Sequence, residues 1–151
     1  MPDSEQYHRE IGAGKTQVLW VAGDRAMENH RFVVEALGRR GFGTVVVTSL
    51  KRAMFRLRNI TVPLPNAVVV DVYDYGWDGF PFIAKLRREP RTRSLPVIAI
   101  STDCETVNPF SGRDMRSHAV RTLEAGAMAY HQIPFRIEEL VADIEMLVKP
   151  E

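Results

Sequence analysis

Short β-branched runs alternate with longer amphipathic stretches along this chain, a pattern that predicts an open parallel sheet covered by helices. Val18-Leu19-Trp20-Val21 is apolar at every position, as a parallel strand buried on both faces must be. The next stretch, about Met27 to Arg40, puts Phe32, Val33, Ala36 and Leu37 on one helical face and stops at Gly41. Val45-Val46-Val47 makes a second strand, and Ser49 is placed to cap a short helix through Met54, Phe55 and Leu57. Two prolines between Thr61 and Pro65 require a loop.

Ala67-Val68-Val69-Val70 is the most strongly β-like run and ends on Asp71. A third helix follows from about Gly79 to Arg88, closed by Pro90, and Pro96 to Ile100 is the fourth strand. From Thr102 to about Arg113 the chain is a long polar loop holding Pro109 and Gly112. A fourth helix spans about Met115 to Ala125, and a fifth strand Met128 to Gln132. The last helix runs from Ile137 to Val148, with Leu140, Val141, Ile144 and Leu147 at helical spacing. Five strands and five helices in strict alternation define a doubly wound α/β unit, whose ligands sit at the carboxyl ends of the strands.

Composition narrows the function classes. At 151 residues the chain is one domain on length, with 1–15 a flexible polar tail and 16–151 the folded unit. A formal net charge of +1 gives no global attraction to nucleic acid or an anionic membrane. The basic residues Arg39-Arg40, Lys51-Arg52, Arg56, Arg58, Arg87-Arg88, Arg91 and Arg93 are scattered over separate helices, so no DNA partner is expected. One cysteine, Cys104, excludes an intrachain disulfide and a thiolate zinc cage. No apolar run approaches the ~20 residues of a membrane span, and the first residues carry no apolar leader; a cytoplasmic location is expected. Gly12 to Thr16, GAGKT, lacks the earlier glycine and the strand–loop–helix setting of a phosphate loop. His8, His30, His118 and His131 lack metal-ligand spacing, and all but His131 are expected to face solvent.

More specific spacing appears around Asp71. DVYDYGWDGF places Asp-Gly, Asp78 and Gly79, seven residues after an aspartate that closes a strand. LPVIAIST ends the fourth strand on Ser101, and AGAMAYHQIPF covers Ala125 to Phe135 with Tyr130 at its centre. These three segments, in this order over roughly residues 17–149, resemble the phosphoacceptor, fourth-strand and fifth-strand blocks of bacterial response-regulator receiver domains. The resemblance implies a flavodoxin-like fold with strand order 2-1-3-4-5 and puts Asp71 at the phosphoacceptor position.

The departures from the family fall on its chemistry. Receivers take phosphoryl groups with Mg²⁺, a cation that needs oxygen ligands and usually a carboxylate. The family's two acidic residues after the first strand are here Ala22 and Gly23, and its lysine before the fifth-strand proline is Ile133. Phosphoryl transfer depends on positioning and on neutralising charge, and a phosphoaspartate here would bring roughly −2 beside an apolar side chain. Asp71, Ser101 and Tyr130 remain as pocket positions. Asp24 and Asp74 could each supply one ligand if turned inward, or remain solvated, Asp24 at a helix start. Tyr73, Tyr75 and Trp77 either present a partner surface or pack over the emptied pocket.

The leading expectation is a stand-alone pseudo-receiver, not an enzyme, with no cofactor and no bound metal, acting through protein contacts. Its partner surface is expected on the fourth helix, fifth strand and fifth helix, with Tyr130, His131, Gln132 and Ile133, a face through which a homodimer could also form. Two alternatives stay open. One is residual phosphoacceptance at Asp71 with metal held by Asp24 or Asp74. The other is a sensor of a cyclic dinucleotide or small anion, using Arg113, Arg116 and Arg121 of the extended 102–113 loop and following helix, where guanidinium groups suit phosphates.

Overall fold

Parallel strands cannot be joined by tight turns, so each connection must cross over the sheet, usually as a helix. The computed structural model describes residues 16–74, 77–101, 118–132 and 135–148. The first half holds β1 (Gln17–Val21), α1 (Asp24–Arg39), β2 (Gly43–Val47), α2 (Leu50–Arg58) and β3 (Ala67–Asp74). The second holds β4 (Trp77–Asp78), α3 (Phe80–Arg88), β5 (Val97–Ser101), α4 (His118–Ala125), β6 (Ala129–Gln132) and α5 (Ile137–Leu147). The sheet order is β2-β1-β3-β5-β6, all parallel, which is the expected 2-1-3-4-5 order once the two-residue β4 is set aside.

Side chains alternate across each strand, and the alternation divides the core in two. Leu19, Val21, Val68, Val70, Val97 and Ala99 face α2 and α3. Val18, Trp20, Val69, Ile98 and Ile100 face α1 and α5. Asp71, two residues on from Val69, therefore points toward α1 and α5.

The structure departs from the sequence expectation at the end of β3, in the hairpin after it and at the start of α1. β3 does not stop at Asp71; it runs to Asp74, which therefore lies on a strand and not in a loop. Tyr73 and Asp74 pair antiparallel with Asp78 and Trp77, a hairpin that a two-residue strand is too short to announce. α1 begins at Asp24 and not at Met27, so its inward stripe is Ala26, Met27, His30, Val33 and Leu37. Phe32, expected on that stripe, is 61% exposed. The N-terminal tail and the 102–113 loop lie outside the described residues.

Arginines that look like a surface cluster also have structural work. Arg87 donates to the carbonyls of Gly126, Arg93 and Leu95 at 2.7, 3.0 and 2.7 Å, and burial lowers its pKa. Arg91 donates to the carbonyls of Leu57 and Val62 at 3.0 and 2.8 Å. Both tie loops to the sheet edge through orphan carbonyls.

The Asp78-Gly79 pair has a steric cause. Asp78 Oδ1 accepts from the Phe80 amide at 3.0 Å, opening α3. A Cβ at Gly79 would lie 2.6 Å from the Asp71 carbonyl oxygen and 2.9 Å from Val72 Cα, both backbone atoms that cannot yield cheaply. Gly79→Ala is expected to destabilise the fold by about 1–3 kcal/mol in urea unfolding. Gly38→Ala, with nothing within 4 Å of the new Cβ, should be neutral or stabilising by up to about 1 kcal/mol.

Candidate functional site

The site forms beneath α1, where β1 ends and β3 runs on. β1 accompanies β3 only as far as Val21 opposite Val70. Beyond that point the register between β3 and β5 shifts between Asp71 and Tyr73, an irregularity of the kind that re-aims side chains near sites. Asp71 is fully buried. Its Oδ2 lies 3.7 Å from Nε2 of His30, also fully buried, on the inner face of α1. Trp20 of β1 completes the group, donating from Nε1 to His30 Nδ1 at 3.1 Å, with the two rings edge to face at 5.7 Å. At 3.7 Å the imidazole and the carboxylate are close neighbours but not within direct hydrogen-bond distance.

Trp77 closes the other side. Its indole N–H donates to the Asp71 backbone carbonyl at 2.7 Å. Its ring lies 3.4 Å from where a Cβ on Gly23 would stand. Trp77 thus packs, half-buried, beside Gly23 at the end of β1. Gly23 caps α1 without a side-chain bond, and Ala22 is buried, its amide bonded to the Val47 carbonyl at 3.2 Å.

A divalent cation beside Asp71 does not fit the described residues. Ala22 and Gly23 after β1 carry no carboxylate, Trp77 packs beside Gly23, and the Asp71 carboxylate faces an imidazole. Asp24 sits exposed in the first turn of α1, where the helix dipole favours a negative charge. Among the described residues no group of three His, Cys, Asp or Glu side chains could hold a metal ion.

The other candidates spread over the carboxyl edge. Ser101 is buried at the end of β5, paired in register with Tyr73 and Gln132. Tyr130 packs against the α2–α3 core. His131 bonds Asp143 of α5, lies 3.8 Å from Glu139, and stacks near Phe135 at 5.3 Å. Arg121 stacks over the Phe80 ring at 4.1 Å, which brings α4 onto the start of α3. Tyr75, Arg113, Arg116 and Ile133 lie outside the described residues, and of Tyr73 and Asp74 only the backbone is described.

His30 is the residue the sequence reading misplaced: expected in solvent, it stands at the centre of the site. The signal was its place four residues after Ala26 and three before Val33, inside an apolar helical stripe.

Comparison with known proteins bears on this geometry. No protein-family model matches the chain. The phosphate regulon transcriptional regulatory protein PhoB of Escherichia coli K12 is 31% identical over 118 residues, 78% of this chain and 44% of that protein. Its Klebsiella pneumoniae counterpart matches at the same 31% over the same shares. The chain thus spans less than half the length of the curated relatives it matches.

Among solved structures, the receiver domain of a Francisella response regulator superposes with TM-score 0.66 at 24% identity, over 89% of this chain and 97% of that one. A CheY-like receiver from Methanospirillum hungatei gives 0.65 at 18%, over 89% and 94%. The chain has the response-regulator receiver fold. A third receiver, from a Pseudomonas aeruginosa sensor histidine kinase, superposes with TM-score 0.63 at 23% identity over 89% and 98%, and coordinates magnesium in its active-site cleft. Here the receiver architecture is kept, and the equivalent end of the sheet is packed with Trp77 and His30.

Replacing Trp77 by Phe keeps the ring and removes the donor to the Asp71 carbonyl. Denaturant unfolding should show a loss of about 0.5–1.5 kcal/mol, the usual net worth of such a bond. An unchanged midpoint would mean that the indole N–H does not hold this strand.

Proposed function

We propose that this chain is a receiver-type module of two-component signalling that works by protein–protein contact, without aspartyl phosphorylation. The observation that carries the reading is the fully buried Asp71 carboxylate, turned toward His30 under a Trp77 cover. A phosphoryl donor would have to reach that carboxylate past packed side chains, and Ala22 and Gly23 after β1 bring no carboxylate for a metal that would stabilise the transferred group.

Partner contact falls on α4, β6 and α5. Val120 and Leu123 of α4 and the adjoining Met128 are exposed apolar side chains at this edge. His131, bonded to Asp143, ties β6 to α5 and keeps the face rigid. Apolar anchors on a pre-organised surface are what a stable protein contact requires. Residual phosphoacceptance at Asp71 is the alternative to this reading.

Affinity capture with wild type and with Asp71→Asn should recover the same partner in the same yield, and Leu123→Asp should recover less. Stoichiometric labelling by acetyl phosphate that disappears in Asp71→Asn would overturn the proposal.

A further inference from the structure

His30 and Asp71 are the two titratable side chains that lie fully buried among the described residues, and they face each other. The imidazole is fixed from behind. An indole N–H can only donate, so the 3.1 Å bond from Trp20 makes His30 Nδ1 the acceptor. A ring with a lone pair on Nδ1 is neutral and carries its hydrogen on Nε2. Nε2 is the atom 3.7 Å from Asp71 Oδ2. Trp20, His30 and Asp71 therefore form a directed chain of polarity, from β1 through α1 to β3, that ends with an N–H facing the carboxylate. The buried side chains of the surrounding layer, including Val33, Val69, Ile98, Ile100, Leu140 and Ile144, are apolar. In such a medium a misdirected ring hydrogen would be expensive, which enforces the direction of the chain.

We propose that His30 is a positioning residue of Asp71: held in its Nε2–H tautomer by Trp20, it turns an N–H toward the carboxylate that the alternation of β3 places under α1, and so orients that carboxylate within the α1–α5 layer. The inference rests on the phosphorylation-independent reading and supplies the residue responsible for it. It also gives α1 a polar tether to the central strand, in addition to its apolar stripe.

Long-range proton–nitrogen NMR on the full chain, labelled with ¹⁵N at histidine, reads the tautomer directly at neutral pH. In wild type, His30 should show Nδ1 as an unprotonated acceptor and Nε2 as the N–H. Trp20→Phe should release the tautomer, moving Nδ1 toward the N–H range. Asp71→Asn should shift the Nε2 resonance with the tautomer kept, so the test survives if the tryptophan variant does not fold. A wild-type His30 with its hydrogen on Nδ1, or on both nitrogens, overturns the proposal. So does a tautomer that Trp20→Phe leaves unchanged. Beryllofluoride and Mg²⁺ added to the wild-type sample separate this claim from the reading beneath it. A displaced Nε2 resonance, from a sample that showed the Nε2–H tautomer before the addition, leaves the tautomer of the unliganded protein standing and overturns phosphorylation independence. A wrong tautomer with no response to beryllofluoride overturns the pair alone.

Discussion

A carboxylate in the middle of a parallel sheet is stable only with partners, because low-dielectric surroundings penalise any unpaired charge. Asp71 meets that constraint inward, with the imidazole of His30 before it and the indole of Trp20 behind the imidazole. Much of the local structure follows. α1 must start early enough to bring His30 over the end of β3, and β1 must carry Trp20 on the same face. β3, freed from a role as an open strand end, continues three residues past Asp71 and folds back as a hairpin that delivers Trp77 to the Asp71 carbonyl.

The same packing accounts for the residues at the family's acidic positions. A carboxylate at Gly23 would be introduced against the Trp77 ring, and one at Ala22 would be buried on the His30 face of the sheet. Gly23, with no Cβ, leaves room for the Trp77 ring 3.4 Å from where one would stand. Replacing charged pocket residues by well-packed apolar ones is often neutral or favourable for stability.

Most of the fold was legible in the sequence, because parallel strands buried on both faces leave unbroken β-branched runs such as Val68-Val69-Val70, and Gly41 and Gly126 mark helix ends through positive φ. What escaped were features without a period. The two-residue β4 is too short to show alternation, and its pairing depends on the Asp71–Tyr73 irregularity. His30 was hidden by a helix start placed at Met27; moved back to Asp24, the stripe Ala26, His30, Val33, Leu37 includes it. The absence of carboxylates at Ala22 and Gly23 was plain from the sequence. That a histidine from α1 faces Asp71 depends on a tertiary contact that no local pattern encodes.

The most direct measurement is a crystal structure of the protein grown with saturating Mg²⁺ and beryllofluoride. Burial of Asp71 requires that its carboxylate remain against His30, with Trp77 still bonded to the Asp71 carbonyl and no beryllium on either carboxylate oxygen. Beryllofluoride bonded to Asp71, with Trp77 displaced and a metal ion beside it, would contradict a phosphorylation-independent receiver.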